Sequence, residues 1–129
     1  MAAEIRVLTA VDDPAVVESL RRLAGDRADI SFAEPAPDES LREYLDASRE
    51  AVDCLLVDDR ETTGLCAFLR DVSAAHPALP VVCCPSDGSE RLASDALAAG
   101  ATDYIPADVA GAQPAAFADR LLAAAGDDA

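Results

Sequence analysis

Residues 53–58 read Asp53-Cys54-Leu55-Leu56-Val57-Asp58. Four consecutive apolar residues between two aspartates show no in-and-out alternation. That is the pattern of a strand buried on both faces, as in a parallel sheet covered by helices above and below. A second continuous run, Pro80-Val81-Val82-Cys83-Cys84, repeats it. Working outward, Ile5–Val11 reads as a first strand, Asp29–Ala33 as a weaker second and Thr102–Ile105 as a short fifth. Helical spacing follows each run. In Pro14–Ala24, Val16, Val17, Leu20 and Leu23 share one face, Asp13-Pro14 supplies an N-cap and a first-turn proline, and Gly25 is expected to close the helix. Asp38 is expected to cap a helix running to about Glu50, with Leu41, Tyr44 and Leu45 facing inward. Leu65–Ala75, Ser89–Ala99 ending at Gly100, and Pro114–Ala125 complete the set. Strand–helix units of about 25 residues, repeated five times, predict an α/β fold: a five-stranded parallel sheet with helices on both faces.

The chain has 129 residues, 51% of them apolar and 27% charged. This suits one domain with its own core, read as residues 1–125 with 126–129 as a tail or linker. Ten basic residues, all Arg, stand against 25 acids, a net charge of −15. Such a surface repels phosphate backbones and anionic lipid, so neither nucleic acid nor a membrane is expected as a partner. No uncharged apolar run reaches the roughly 18 residues needed to span a bilayer, and no signal peptide opens the chain, so a cytoplasmic location is expected. Of the four cysteines, none forms a C-x-x-C pair, and His76 is the one histidine, which leaves no zinc ligand set. Cys54, Cys83 and Cys84 lie in apolar runs and read as small core residues. His76 precedes Pro77 and reads as a surface loop residue.

In open α/β sheets, chemistry collects outside the carboxyl ends of the strands. The residues there are Val11, Asp12 and Asp13 after the first strand and Asp58 and Asp59 after the third. Pro85, Ser86 and Asp87 follow the fourth, and Pro106, Ala107 and Asp108 the fifth. Aspartates from the first and third strands are expected to meet at one sheet edge. Their mutual repulsion either raises carboxyl pKa values or attracts a divalent cation, and hard oxygen ligands suit Mg2+. Asp13 doubles as a helix cap. Asp58, ending a buried strand, is costly there without a role.

With these residues in place, the chain resembles the receiver domain of two-component response regulators over nearly its whole length. The resemblance rests on Val7-Leu8-Thr9-Ala10-Val11-Asp12-Asp13-Pro14, on Val52–Asp58, on Pro80-Val81-Val82, and most specifically on Ser94-Asp95-Ala96-Leu97-Ala98-Ala99-Gly100-Ala101-Thr102-Asp103-Tyr104-Ile105. It implies a flavodoxin-like (βα)5 fold with strand order 2-1-3-4-5, and a signalling module rather than an enzyme. Asp58 stands where a partner histidine kinase delivers a phosphoryl group, and Tyr104 stands at the aromatic switch. The implied Mg2+ ligands are an acidic pair drawn from Asp12 and Asp13, Asp58 itself, and the backbone carbonyl of Arg60. Anchoring on Asp13-Pro14 puts Val11 and Asp12 at the acidic pair, the alignment preferred here; a one-residue bulge brings in Asp12 and Asp13 together.

Several positions depart from the family pattern. The usual Met-Pro segment after the acceptor is missing. Pro85 occupies the hydroxyl position after the fourth strand, with Ser86 adjacent, and Ala107 occupies the Lys position. Losing that ammonium removes a charge-assisted partner of the phosphoryl worth about 1.5–3 kcal/mol. Mg2+ binding is accordingly expected to be weak or absent, and the output switch uncoupled or weak. Arg60 or Arg91 could substitute as phosphoryl partners. Glu61-Thr62-Thr63-Gly64 and Ser86–Ser89 read first as helix caps. Two signalling readings stay open: a phosphorelay receiver with Asp58 as acceptor, or a phosphorylation-independent pseudo-receiver that binds proteins, for instance as the input module of a larger sensor kinase or transcription regulator. The partner is a histidine kinase or another signalling protein, and a homodimer is a further option. A haloacid-dehalogenase-type phosphatase is disfavoured because position 60 is Arg, not Asp, and no Lys exists. An FMN-binding flavodoxin is disfavoured because Asp12-Asp13-Pro14 repels phosphate.

The Asp-heavy, Lys-free composition is read as halophilic adaptation in preference to ordinary solubility, since screening relieves self-repulsion among surface acids. The melting temperature is expected to rise between low and molar KCl in a thermal scan; a flat or falling series removes the halophilic reading.

Overall fold

A computed structural model of the chain describes residues 4–11, 13–58, 64–86 and 88–126. The strands are β1 (Ile5–Ala10), β2 (Ile30–Ala33), β3 (Cys54–Val57), β4 (Val81–Cys83) and β5 (Asp103–Tyr104). The helices are α1 (Pro14–Asp26), α2 (Leu41–Ser48), α3 (Leu65–Ala75), α4 (Glu90–Ala98), α5 (Ala107–Ala112) and α6 (Pro114–Ala124). All strand pairs are parallel, in the order β2-β1-β3-β4-β5, as expected from the sequence.

The doubly apolar run explains the layers. In β3 all four residues are buried, and neighbours point to opposite sides of the sheet. Cys54 and Leu56 join Val7, Val82 and Ile105 beneath Val16, Leu20 and Phe117, so α1, α5 and α6 cover one face. Leu55 and Val57 join Leu8, Val81 and Cys83 against Leu45, Leu69, Val72 and Ala96, so α2, α3 and α4 cover the other. Cys54, Cys83 and Cys84 are buried within these two clusters, and none of the four cysteines is in a disulfide.

Several boundaries differ from the sequence reading for physical reasons. Gly25 does not end α1: the helix continues to Asp26, and the turn into β2 is held by Arg27, whose guanidinium donates to both Asp29 carboxylate oxygens at 3.0 and 2.6 Å. Asp38 does not cap α2. Ser40 does, through a reciprocal box in which its hydroxyl accepts from the Glu43 amide while Glu43 accepts from the Ser40 amide, so two end donors are satisfied instead of one. The segment between β5 and the last helix forms an extra short helix, α5, absent from the sequence reading. Tertiary contact makes it: the Ser19 hydroxyl donates to the Ala110 carbonyl at 2.8 Å in a buried setting, and a Cβ on Gly111 would lie 2.8 Å from that of Ala15. His76 is not a surface side chain. It is 12% exposed, and its Nε2 lies 3.1 Å from an Asp46 carboxylate oxygen, tying α3 to α2. Gly100 adopts φ +121 between α4 and β5, and a side chain there would strike Ser73.

Phe117 is the largest fully buried side chain, at the centre of the α6 face. Phe117→Ala is expected to cost about 3–5 kcal/mol, read as a lower midpoint in urea unfolding at unchanged slope.

Candidate functional site at the carboxyl edge of the sheet

The parallel registers align the strand exits. Thr9 pairs with Leu56 and Ala10 with Val57, and the Asp58 amide then donates to the Ala10 carbonyl at 3.2 Å. The Cys84 amide donates to the Val57 carbonyl at 2.7 Å, and the Ala107 amide to the Pro85 carbonyl at 2.9 Å. The residues after β1, β3, β4 and β5 therefore stand in one row.

Asp58 is fully buried, with 0% of its surface exposed. Asp13 contributes twice. One carboxylate oxygen accepts from the Ala15 amide at 2.9 Å, the N-cap expected from Asp13-Pro14. The other accepts from the Ser86 hydroxyl at 2.8 Å, bridging the start of α1 to the exit of β4. Cys84 lies within reach of the charge of both acids. Its thiol is pushed up to about 12, first by burial, then by the negative charge of Asp13 and of Asp58. Both carboxylates therefore act on one buried sulfur, so Asp13 and Asp58 belong to the same acidic hollow. Membership of Cys84 was invisible in the sequence, where it reads as core; its position directly after β4 was the available signal. Asp12 and Arg60, the other expected metal ligands, lie outside the described residues, as do Asp59, Thr62, Thr63 and Asp87. Among the described residues, no three His, Cys, Asp or Glu side chains gather as a metal site.

The switch positions are also placed. Pro85 is buried, and Ser86 is the hydroxyl that reaches Asp13. Ala107, 3% exposed, fills the Lys position with a methyl group. The Tyr104 hydroxyl accepts from the Ser89 amide at 3.2 Å and donates to the Ser89 carbonyl at 3.4 Å. It rests so closely over Gly88 that a Cβ there would collide with it. Tyr104 thus fastens β5 to the cap of α4, where the Ser89 hydroxyl accepts from the Leu92 amide. Arg120 secures the same strand from α6, donating to the Asp103 carboxylate at 2.9 Å and the Tyr104 carbonyl at 3.1 Å; the bond to Asp103 raises its pKa further. That pairing, across 17 residues, has no signature in the sequence. Arg91 is exposed on the first turn of α4.

This fold is that of response regulator receiver domains, as the sequence resemblance implied. No family model matches the chain, and no curated protein matches it. Among solved structures it is similar to a pilus assembly-related protein from Burkholderia pseudomallei, at 25% identity over 97% of this chain and 92% of that one, with a TM-score of 0.72. It is similar to an orphan response regulator of H. pylori, at 20% identity over 94% and 96% of the two chains, TM-score 0.71. A response regulator receiver domain protein from Clostridium thermocellum gives 17% identity, 95% coverage of each chain and a TM-score of 0.73. No helix among the described residues is long and apolar enough to cross a membrane.

Burial also raises the thiols of Cys54 and Cys83 to about 12. At about pH 8 such a thiol is ionised in only about one molecule in 10,000. Iodoacetamide is therefore expected to label the native protein at half-buried Cys66 alone, and the other three only after unfolding, as read by peptide mass spectrometry. Rapid native labelling of Cys84 would contradict the closed acidic hollow.

Proposed function

We propose that the chain is a receiver-like signalling module acting through protein partners, with Asp58 as its phosphoryl acceptor and its output switch uncoupled from that event. The observation that carries the reading is that Asp13, bonded to the Ser86 hydroxyl, and buried Asp58 both act by charge on the Cys84 thiol at the carboxyl edge of the sheet. In the reaction, an Asp58 carboxylate oxygen attacks phosphorus, the P–N bond to the kinase histidine breaks, and an aspartyl phosphate forms. The donor is a histidine kinase or a related phosphoryl source, which would meet the module in the cytoplasm.

Asp13 and Asp58 present hard oxygen donors in a hollow with excess negative charge, which fits Mg2+. Both oxygens of Asp13 already accept hydrogen bonds, which supports weak binding. When bound, the ion neutralises charge on the phosphoryl group in transfer. The chain's own residues do the rest: Asp58 supplies the nucleophile, and the Ser86 hydroxyl, now on Asp13, is placed to turn toward a phosphoryl oxygen.

Uncoupling is supported by Ala107, which offers no cation, and by Tyr104, already fastened to Ser89 without any phosphoryl present. The second reading, a phosphorylation-independent pseudo-receiver, is favoured by one specific observation: Asp58 has no exposed surface. Neighbours that include an orphan response regulator and a pilus assembly-related protein support a module that works through protein contacts in either case.

Incubation with acetyl phosphate and Mg2+, followed by intact mass measurement, is expected to add one phosphoryl group that Asp58→Asn abolishes. The Tyr104 ring resonances are expected to stay in place on phosphorylation. No mass gain replaces the acceptor reading with the pseudo-receiver, and a shifted Tyr104 ring overturns the uncoupling.

A further inference from the structure

Beside the acidic hollow, a cavity of about 770 Å3 opens at the carboxyl ends of β1 and β2. Small-molecule sites typically measure about 300–1,000 Å3 and lie at this end of such sheets. Its floor is the exit of β1, Thr9 to Val11, and its far wall is Phe68 on α3. Val17 and Leu41 close the sides; like Val11 and Phe68 they are only half-buried, so apolar surface remains for an occupant. The rim between β2 and α2 contains Pro35 and Pro37, whose rings fix φ and hold that wall in shape before anything binds.

The polar groups select the chemistry. The Thr9 hydroxyl is committed to the Ala33 carbonyl at 3.3 Å, and the Ser40 hydroxyl oxygen to the Glu43 amide at 3.1 Å. The one cation in the lining, Arg42, lies 3.7 Å from Asp46, and its buried Nε makes no hydrogen bond among the described residues. Glu39 spends one oxygen on the Ala36 amide at 3.2 Å and keeps the other. Glu34 makes no hydrogen bond or ion pair among the described residues. The rim therefore offers unspent carboxylate oxygen, two carboxylates against one arginine, on a chain whose net charge of −15 repels anions.

We propose that this cavity binds a small organic cation with an apolar body, an alkyl- or arylammonium, its stem against Val17, Leu41 and Phe68 and its charge at Glu34 and Glu39. The site does not depend on phosphorylation of Asp58.

Titration of the 15N-labelled full chain at low salt with n-alkylammonium ions from butyl to octyl tests it. The backbone amides of Ala10, Val17, Leu41 and Phe68 are expected to shift. Affinity is expected to rise about threefold to fourfold per added methylene. Octylammonium is expected to bind at least tenfold more tightly than octanoate and more tightly than octanol. Glu34→Gln, an exposed substitution, is expected to narrow that preference without moving the melting temperature. Equal binding of octanoate or octanol, shifts mapping elsewhere, or an unchanged preference in Glu34→Gln would each overturn the proposal.

Discussion

The ladder between β1 and β3 is the constraint on which the rest of the molecule depends. Both strands are buried on both faces, so most of their backbone groups pair with each other and with the strands beyond. Parallel pairing then forces every return connection to cross a face of the sheet, and all strand exits fall at one edge. The hydrogen bond from the Asp58 amide to the Ala10 carbonyl continues that ladder one step beyond β3. It is what brings an aspartate level with the start of α1.

At that edge the electrostatics are one-sided. Asp13 and Asp58 share the hollow with a thiol that their charge helps keep protonated, and the neighbouring polar donor is the Ser86 hydroxyl. Ala107 places a methyl group where a cation would relieve the excess charge. The neighbouring edge behaves differently. There the Tyr104–Ser89 contact and the Arg120–Asp103 pair tie β5 to α4 and α6.

Legibility varied with the range of the interaction. The doubly apolar runs at 53–58 and 80–84 announced central parallel strands, and Asp13-Pro14 announced both a cap and a helix start, because these signals are local. Asp38 and Gly25 misled for the same reason: each has the right local chemistry for a helix end, but the Ser40–Glu43 box and the Arg27–Asp29 pair are better satisfied nearby. Helix α5 was missed because Ala107–Ala112 contains a glycine and too few apolar spacings to register; packing on α1 makes it. His76 was misplaced because its partner, Asp46, is 30 residues away.

In the candidate site, Asp13, Asp58 and Ser86 were nameable from their places just after strands, and Tyr104 from the family resemblance. That Asp13 reaches Ser86 across 73 residues, that Cys84 feels the charge of both acids, and that Tyr104 closes on Gly88 were not. The amino-acid sequence by itself determined the layers and the edge at which polar chemistry collects, since periodicity, chain direction and strand ends are properties of short stretches; the strand order was implied by the family resemblance. Only the tertiary structure decided which of those side chains meet, because hydrogen bonds and desolvation act over a few ångströms, and those distances exist only once the helices have packed on both faces of the sheet.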